Sequence, residues 1–393
     1  MYWSRWRERF GFLPSIDISR PLLWMHAVSV GEVEASSPLI DRMLTQLPQY
    51  QILITTVTPT GAQMVQKRFD NKVVHLYLPY DLPFSVCRFL RQVQPSICVV
   101  METELWPNLY YFCHQKSIPI ILANARMSLP SLKGYRLFKG LIKKTLACIT
   151  QVIAQSKIDA DRIISMGCDP AKVSIAGNMK FDVDLPSSIH EQAQNIRESI
   201  FPNRQIWIAA STHDNEEMIV LDAYKRILQV HPDCLLILAP RHPQRFSKVA
   251  NLCAKYKLEF TRKSDNKDCR ESTQVFLLDT LGEMQLYFAC SDLAFIGGSL
   301  VPAGGHNMLE PASVGVPIIS GIHVANFQEI CDLLQQANAI RLVQDGIGLS
   351  ETVIELFGDL KLRQQMGENA KRLVAENRGS ADQVMSILLS ILK

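Results

Sequence analysis

LLWMHAVSVGEVEASSPLIDRMLTQ, residues 22–46, opens on a short apolar run, Leu22–Val28. It then turns through Ser29-Val30-Gly31-Glu32 into an amphipathic run over Val33–Leu47. An apolar stretch of that length bounded by a turn predicts a strand buried on both faces, and the periodic stretch after it predicts a helix. The same unit recurs outward along the chain. Apolar runs at Ile52–Thr56, Val73–Leu78, Ile97–Met101, Ile118–Ala123 and Val152–Ala154 are separated by periodic segments such as Pro59–Phe69, Phe84–Val93 and Pro107–Lys116. A second series follows, with strands over Ile206–Ala210, Leu235–Ala239, Val275–Leu278 and Leu293–Ile296 and helices over Glu216–Val230, Phe246–Tyr256 and Met284–Ala289. Strands alternating with helices predict parallel sheets covered on both sides, an α/β class with two doubly wound, Rossmann-like domains. The polar, proline-bearing stretch FDVDLPSSIHEQAQNIRESIFPNR, residues 181–204, divides the two series. The expected division is 1–181, a linker over 182–204, and 205–393. Ligands of such domains sit in the crevice at the carboxyl ends of the strands, so the loops that follow strands carry the function.

Composition removes several other classes. With 393 residues, 47 % apolar and 20 % charged, the chain has the balance of a globular protein rather than a disordered one. It contains no continuous apolar stretch of membrane-spanning length, and the charged N-terminus, MYWSRWRERFGFLP, is unlike a secretory signal. The cytoplasm is the default compartment. Ten cysteines occur singly with no CxxC pair, which argues for reduced, buried thiols and against a zinc site or disulfide framework. No GxGxxG after a strand, no GxxxxGK[ST], no HExxH and no GxSxG is present. Asp182-Val-Asp184 has the spacing of a metal-binding carboxylate pair, but it lies in the expected linker beside Pro186, where linker is the simpler reading.

Charge is uneven. Residues 1–185 carry a net +7 and the rest −4. Between Glu104 and Asp159 there is no acidic residue, while eight lysines and arginines alternate with Leu132, Tyr135, Leu137, Phe138, Leu141 and Ile142. Such a face suits anionic lipid headgroups or a phosphorylated substrate, and equally a solvated helix surface.

Several loops after strands hold chemically pointed residues. Glu32 sits on the first turn of its helix, where a carboxylate complements the helix dipole or serves as a general base at the mouth of a crevice. The strand Ile97–Met101 runs into Glu102-Thr103-Glu104-Leu105-Trp106-Pro107, two carboxylates that are costly there without partners. IAGNMKFD places Lys180 just before the linker, as plain surface or facing a phosphate or carboxylate. In the second series, Pro240-Arg241-His242 ends a strand as an anion clamp, and Leu281-Gly282-Glu283 forms the turn before a helix. GGSLVPAGGHNMLEPA, residues 297–312, leads from a strand through two glycine pairs to His306-Asn307-Met308-Leu309-Glu310. Free N–H groups at that helix start would bind phosphate without a metal, and Glu310 is spaced to hold ribose hydroxyls; a loop that merely turns explains the glycines alone.

Taken in order, HAVSVGE, METELWPNL, GNMKFD, LAPRHP, the Gly-Glu of TLGEM and GGSLVPAGGHNMLEPA resemble the 3-deoxy-D-manno-octulosonic acid (Kdo) transferases over nearly the whole chain. The resemblance implies a GT-B fold with its active site in an inter-domain cleft. It implies metal-independent, inverting transfer of Kdo from CMP-Kdo to the tetra-acylated lipid A precursor (lipid IVA) in lipopolysaccharide biosynthesis. Carried over, Glu32 is the general base, and Glu102 and Lys180 stabilise the transition state. Pro240, Arg241, Leu281, Gly282, Glu283, Asn307, Met308, Leu309 and Glu310 hold CMP. The N-terminal domain would bind the acceptor and the C-terminal domain the donor. No cofactor, metal or nucleic acid is implied. Family members begin with a hydrophobic anchor ahead of a segment like Trp3–Gly11; the segment is present here and the anchor is not, so attachment to an anionic membrane surface at the cytoplasmic face of the inner membrane is the expectation. The rival readings are another GT-B enzyme, such as a UDP-sugar transferase or sugar-nucleotide epimerase, and a non-catalytic lipid-A-binding module.

Overall fold

A computed structural model describes residues 5–17, 19–183, 185–265 and 269–392. Fourteen strands are present among them. The first seven are β1 (Leu22–His26), β2 (Gln51–Thr56), β3 (Val74–Tyr77), β4 (Ile97–Met101), β5 (Ile120–Ala125), β6 (Gln151–Ala154) and β7 (Val173–Ile175). They are followed by β8 (Ile206–Thr212), β9 (Leu235–Pro240), β10 (Phe260–Arg262), β11 (Val275–Leu277), β12 (Leu293–Ile296), β13 (Ile318–Gly321) and β14 (Ile340–Val343). All neighbours pair in parallel, in two sheets ordered β3-β2-β1-β4-β5-β6-β7 and β10-β11-β9-β8-β12-β13-β14. The chain order reverses between β1 and β4 in one sheet and between β8 and β12 in the other. Those are the switch points where doubly wound sheets open a crevice.

The alternation of side chains across β1 shows why its residues are continuously apolar. Leu22 and Trp24 pack with Phe89 and Tyr110 on one face. Leu23 and Met25 pack with Leu39 and Met385 on the other. Each such side chain contributes roughly 1.5–3 kcal/mol by burial, and neither face is left to water. Trp24 donates Nε1–H to Thr55 Oγ1 at 2.9 Å. Three helices of this unit start on proline, at Pro59, Pro83 and Pro107, where the missing N–H costs nothing.

The chain forms two compact units, Met1–Asp182 with Asn377–Lys393, and Val183–Glu376. This differs from the expected division in two ways. The supposed linker over 182–204 is mostly the helix Ile189–Ile200, seated in the second unit through Ile189 and Ala193. Its polar composition concealed an i, i+4 apolar pair. The last helix, Ser380–Leu392, belongs to the first unit, where Ala381, Val384, Met385 and Leu388 join the face holding Met25. Asp182 serves as a helix cap: its buried carboxylate accepts the N–H groups of Gly379 (2.6 Å) and Ala381 (2.7 Å). Asp184 lies outside the described residues, as do Trp3 and Ser4 of the basic N-terminal segment. All ten cysteines are free thiols, seven of them buried.

Candidate active site

Glu32 lies one turn into the helix Val30–Gln46, which starts where β1 ends at the switch point of the first sheet. Its carboxylate is buried. Oε2 accepts the N–H of Val28 at 2.8 Å and Oε1 accepts the hydroxyl of Ser29 at 3.0 Å. Burial pushes its pKa up to about 7; the Val28 hydrogen bond opposes this, and the charges of Glu102 and Glu104 add to it. A carboxyl poised near neutrality, surrounded by like charge, is what a general base working at physiological pH requires. The hydrogen bonds to Val28 and Ser29 also complete a variant of the capping box, as a carboxylate on the first turn of a helix can.

Glu102 follows β4 directly, with a left-handed φ of 56° that a non-glycine residue adopts at a cost. Its N–H still pairs with Ala123 O at 2.9 Å, so the strand ladder continues while the side chain turns out of the strand's alternation. Burial first, and then the Glu102 charge, raise the Glu104 pKa. Lys180 is half-buried on the single turn Met179–Phe181. Two asparagines fix that turn: Asn178 Oδ1 accepts the Lys180 N–H at 3.0 Å, and Asn124 Oδ1 accepts the Met179 N–H at 3.0 Å. The turn that carries Lys180 packs against the helix that carries Glu32, and the charges of Glu102 and Glu104 both reach Glu32.

Two residues of this region escaped the sequence reading. His26 ends β1, fully buried, held at Nδ1 by Thr55; burial brings its pKa down to about 4, and its Nε2 has no partner among the described residues. Asn124 sits at a bulge in β5, with φ of 54°. A polar residue interrupting an apolar strand near its end was the available signal for both.

In the second unit, β8 ends through a bulge at Ser211, where φ is 56°. Arg241 leaves β9 alongside, its N–H bonded to Thr212 O at 3.0 Å, and its side chain is exposed. Pro240, Met308 and Leu309 are buried, whereas Leu281 and Gly282 are exposed. Gly282 takes φ of 90°, and Glu283 accepts the hydroxyl of Thr280 with Lys263 3.9 Å away. Asn307 bridges the start of the next helix: its Oδ1 accepts the Leu309 N–H at 3.0 Å, and its Nδ2 donates to Glu310 at 3.1 Å.

The loop directly after β12 holds an anion that belongs to the chain itself. Glu216, fully buried at the start of the helix Glu216–Ile227, accepts the N–H groups of Gly298 (2.7 Å), Ser299 (3.0 Å), Leu300 (2.9 Å) and His213 (3.1 Å). A carboxylate of the chain itself fills the anion nest. At the start of the helix Leu309–Ser313, Asn307 takes the Leu309 N–H and Pro311 has none. Sequence reasoning treated Glu216 as an ordinary helix start; the acidic pair Glu216-Glu217 just after a strand was the only hint. Glu217 is buried too, bound in bidentate fashion by Arg245 at 2.6 and 2.9 Å.

Residues 4–183 match the family model described as 3-deoxy-D-manno-octulosonic-acid transferase (kdotransferase). The whole chain is 39 % identical to 3-deoxy-D-manno-octulosonic acid transferase of Haemophilus influenzae, of which it covers 92 %. The C-terminal CMP-Kdo binding domain of WaaA from Acinetobacter baumannii is 34 % identical over 48 % of this chain and 99 % of that one, with a TM-score of 0.46. UDP-GlcNAc 2-epimerase from Neisseria meningitidis, bound to UDP-GlcNAc, covers 94 % of this chain and 100 % of its own at a TM-score of 0.58 and 13 % identity, a likeness of fold alone. Two parallel seven-stranded units and such neighbours show the GT-B fold.

Proposed function

The chain belongs to the Kdo transferase family and is a glycosyltransferase of lipopolysaccharide biosynthesis; on that premise we propose that it transfers Kdo from CMP-Kdo to the lipid A precursor with inversion and without a metal ion, Glu32 being the base. The observation that carries this reading is the Glu32 carboxyl, buried at a sheet switch point and raised to about 7 beside two other acidic side chains. As the ionised form it takes the proton of the acceptor hydroxyl while that oxygen attacks the anomeric carbon of Kdo. The reacting sugar gains oxocarbenium character, which the negative charge of Glu102 favours. Lys180 supplies the countercharge, and CMP departs as an anion held by Arg241 and the segment Asn307–Glu310.

The acceptor is an acylated, phosphorylated sugar, and the first unit carries a surface suited to its membrane. Leu129, Leu137, Phe138 and Leu141 are exposed, and Lys139, Lys143 and Lys144 flank them. No helix among the described residues is long and apolar enough to cross a membrane. Attachment through this basic, apolar face to anionic lipid is our reading, and it places the enzyme at the cytoplasmic face of the inner membrane. The test is incubation of the protein with CMP-Kdo and lipid IVA in the presence of EDTA, with products weighed by mass spectrometry. Transfer without added metal supports the proposal, and a strict Mg²⁺ requirement or free Kdo as the sole product refutes it.

A further inference from the structure

In the second unit Glu216 occupies the nest after β12, and Asn307 takes the N–H of Leu309. Besides Arg241, what stands at this end of the sheet is a pair of imidazoles. His213 directly follows β8, His306 directly precedes Asn307, and their Nε2 atoms are 2.7 Å apart. The rings lie nearly parallel, 13° between planes, with centroids 5.0 Å apart, and His242 stands edge-on to His213 at 5.5 Å. The backbone makes room for them at Gly298, with φ of 68°, where a Cβ would come within 3.0 Å of the His306 ring and 3.3 Å of the His213 ring.

Two ring nitrogens at that distance must share a proton, since two lone pairs would repel. One ring therefore carries its hydrogen on Nε2 and gives it to the other. The accepting ring, being neutral, must carry its own hydrogen on Nδ1. Burial, together with the charges of Arg241, His213 and His242, brings the His306 pKa down to about 3, so His306 is neutral at physiological pH. Among the described residues, the shared bond is the only side-chain hydrogen bond either ring makes, which leaves the Nδ1–H for a ligand.

We propose that the His213–His306 pair receives the phosphoryl group of CMP, donating an Nδ1–H to a phosphoryl oxygen next to Arg241. The inference rests on the reading that CMP binds this unit. It assigns to two residues outside the Arg241, Leu281–Glu283 and Asn307–Glu310 segments a share in holding the phosphoryl group. As the glycosidic bond breaks, negative charge grows on that oxygen and a preoriented neutral donor gains in strength there without any proton leaving the chain.

The experiment uses the full chain with ¹⁵N-labelled histidine side chains, assigned with His213→Gln and His306→Gln. CMP binding is measured by calorimetry on the same sample. CMP is expected to shift the ring-nitrogen signals of His213 and His306, whereas saturating cytidine, which lacks the phosphate, leaves them in place. Each variant is expected to weaken CMP about 10- to 100-fold and to change cytidine affinity less than about twofold. If wild-type protein binds CMP while both rings stay silent, or if the variants lose cytidine as much as CMP, the inference is wrong and the pair is structural. If wild-type protein does not bind CMP at all, the donor-site reading falls, and this inference with it.

Discussion

Replacing Glu32 by glutamine should stabilise the protein and inactivate it, and both effects have magnitudes that follow from the site. The Glu32 pKa rises from an ordinary 4.5 to about 7, chiefly through burial. A raised carboxyl favours the protonated fold: its contribution to stability is full below pH 4.5 and is lost as pH climbs through about 7. At 1.36 kcal/mol per pH unit, that loss approaches about 3 kcal/mol on the alkaline side. The glutamine side chain keeps an oxygen for the Val28 N–H and carries no charge, so Glu32→Gln should gain on the order of that amount at pH 8 and almost nothing at pH 4. Transfer should fall ~10²–10⁴-fold, the usual worth of general-base help. Denaturant unfolding at both pH values, together with initial rates of Kdo transfer, measures the two. Wild-type kcat/KM should also rise with pH through about 7 and then level off, because the ionised form is the active one. Near-wild-type turnover by the variant, or a variant less stable than wild type at pH 8, would refute the reasoning.

Three further outcomes are expected. Arg241→Ala should weaken CMP roughly 10- to 100-fold by calorimetry, the worth of a hydrogen bond to a charged group, with unfolding unchanged because the side chain is exposed; unchanged affinity removes Arg241 from the donor site. Reversing Lys139, Lys143 and Lys144 to Glu should abolish binding to anionic liposomes in sedimentation, since each basic group near such a surface contributes about 1 kcal/mol, while CMP affinity stays as it was. Equal sedimentation of variant and wild type would make the stretch a solvated face. Asp182→Ala leaves two helix N–H groups uncapped and should cost about 2–4 kcal/mol in denaturant unfolding without altering CMP affinity; a loss under about 0.5 kcal/mol would show that the cap is dispensable.

Much of the fold was legible because it is written locally. Strands buried on both faces, such as Ile97–Met101 and Leu293–Ile296, are continuous apolar runs whose observed bounds coincide with those expected. The half-exposed edge strands Val173–Ile175 and Phe260–Arg262 lack that signal, being three residues long and only partly buried. What stayed hidden is non-local. Nothing near Ser380 reveals that its helix returns to the first unit, and nothing near Glu216 reveals that its carboxylate meets three consecutive N–H groups some eighty residues later. At the site, Glu32 and Arg241 were readable as charged residues at strand ends. His213 and His306 were not, because a lone histidine after a strand acquires meaning only from the partner the fold sets beside it.

The return of the last helix to the first unit has a consequence during synthesis on the ribosome. The first 182 residues emerge with an open apolar face, because Ala381, Val384, Met385 and Leu388, which cover part of it, have not yet been made. All of Val183–Glu376 must be translated in between, a wait of roughly 10–40 s at ~5–20 residues per second. The second unit, contiguous in the chain, can close during that interval, so the unit begun first is the one finished last. A message cut short ahead of codon 377 would therefore yield a chain whose second unit is complete and whose N-terminal unit stays open, still showing apolar surface to chaperones and proteases.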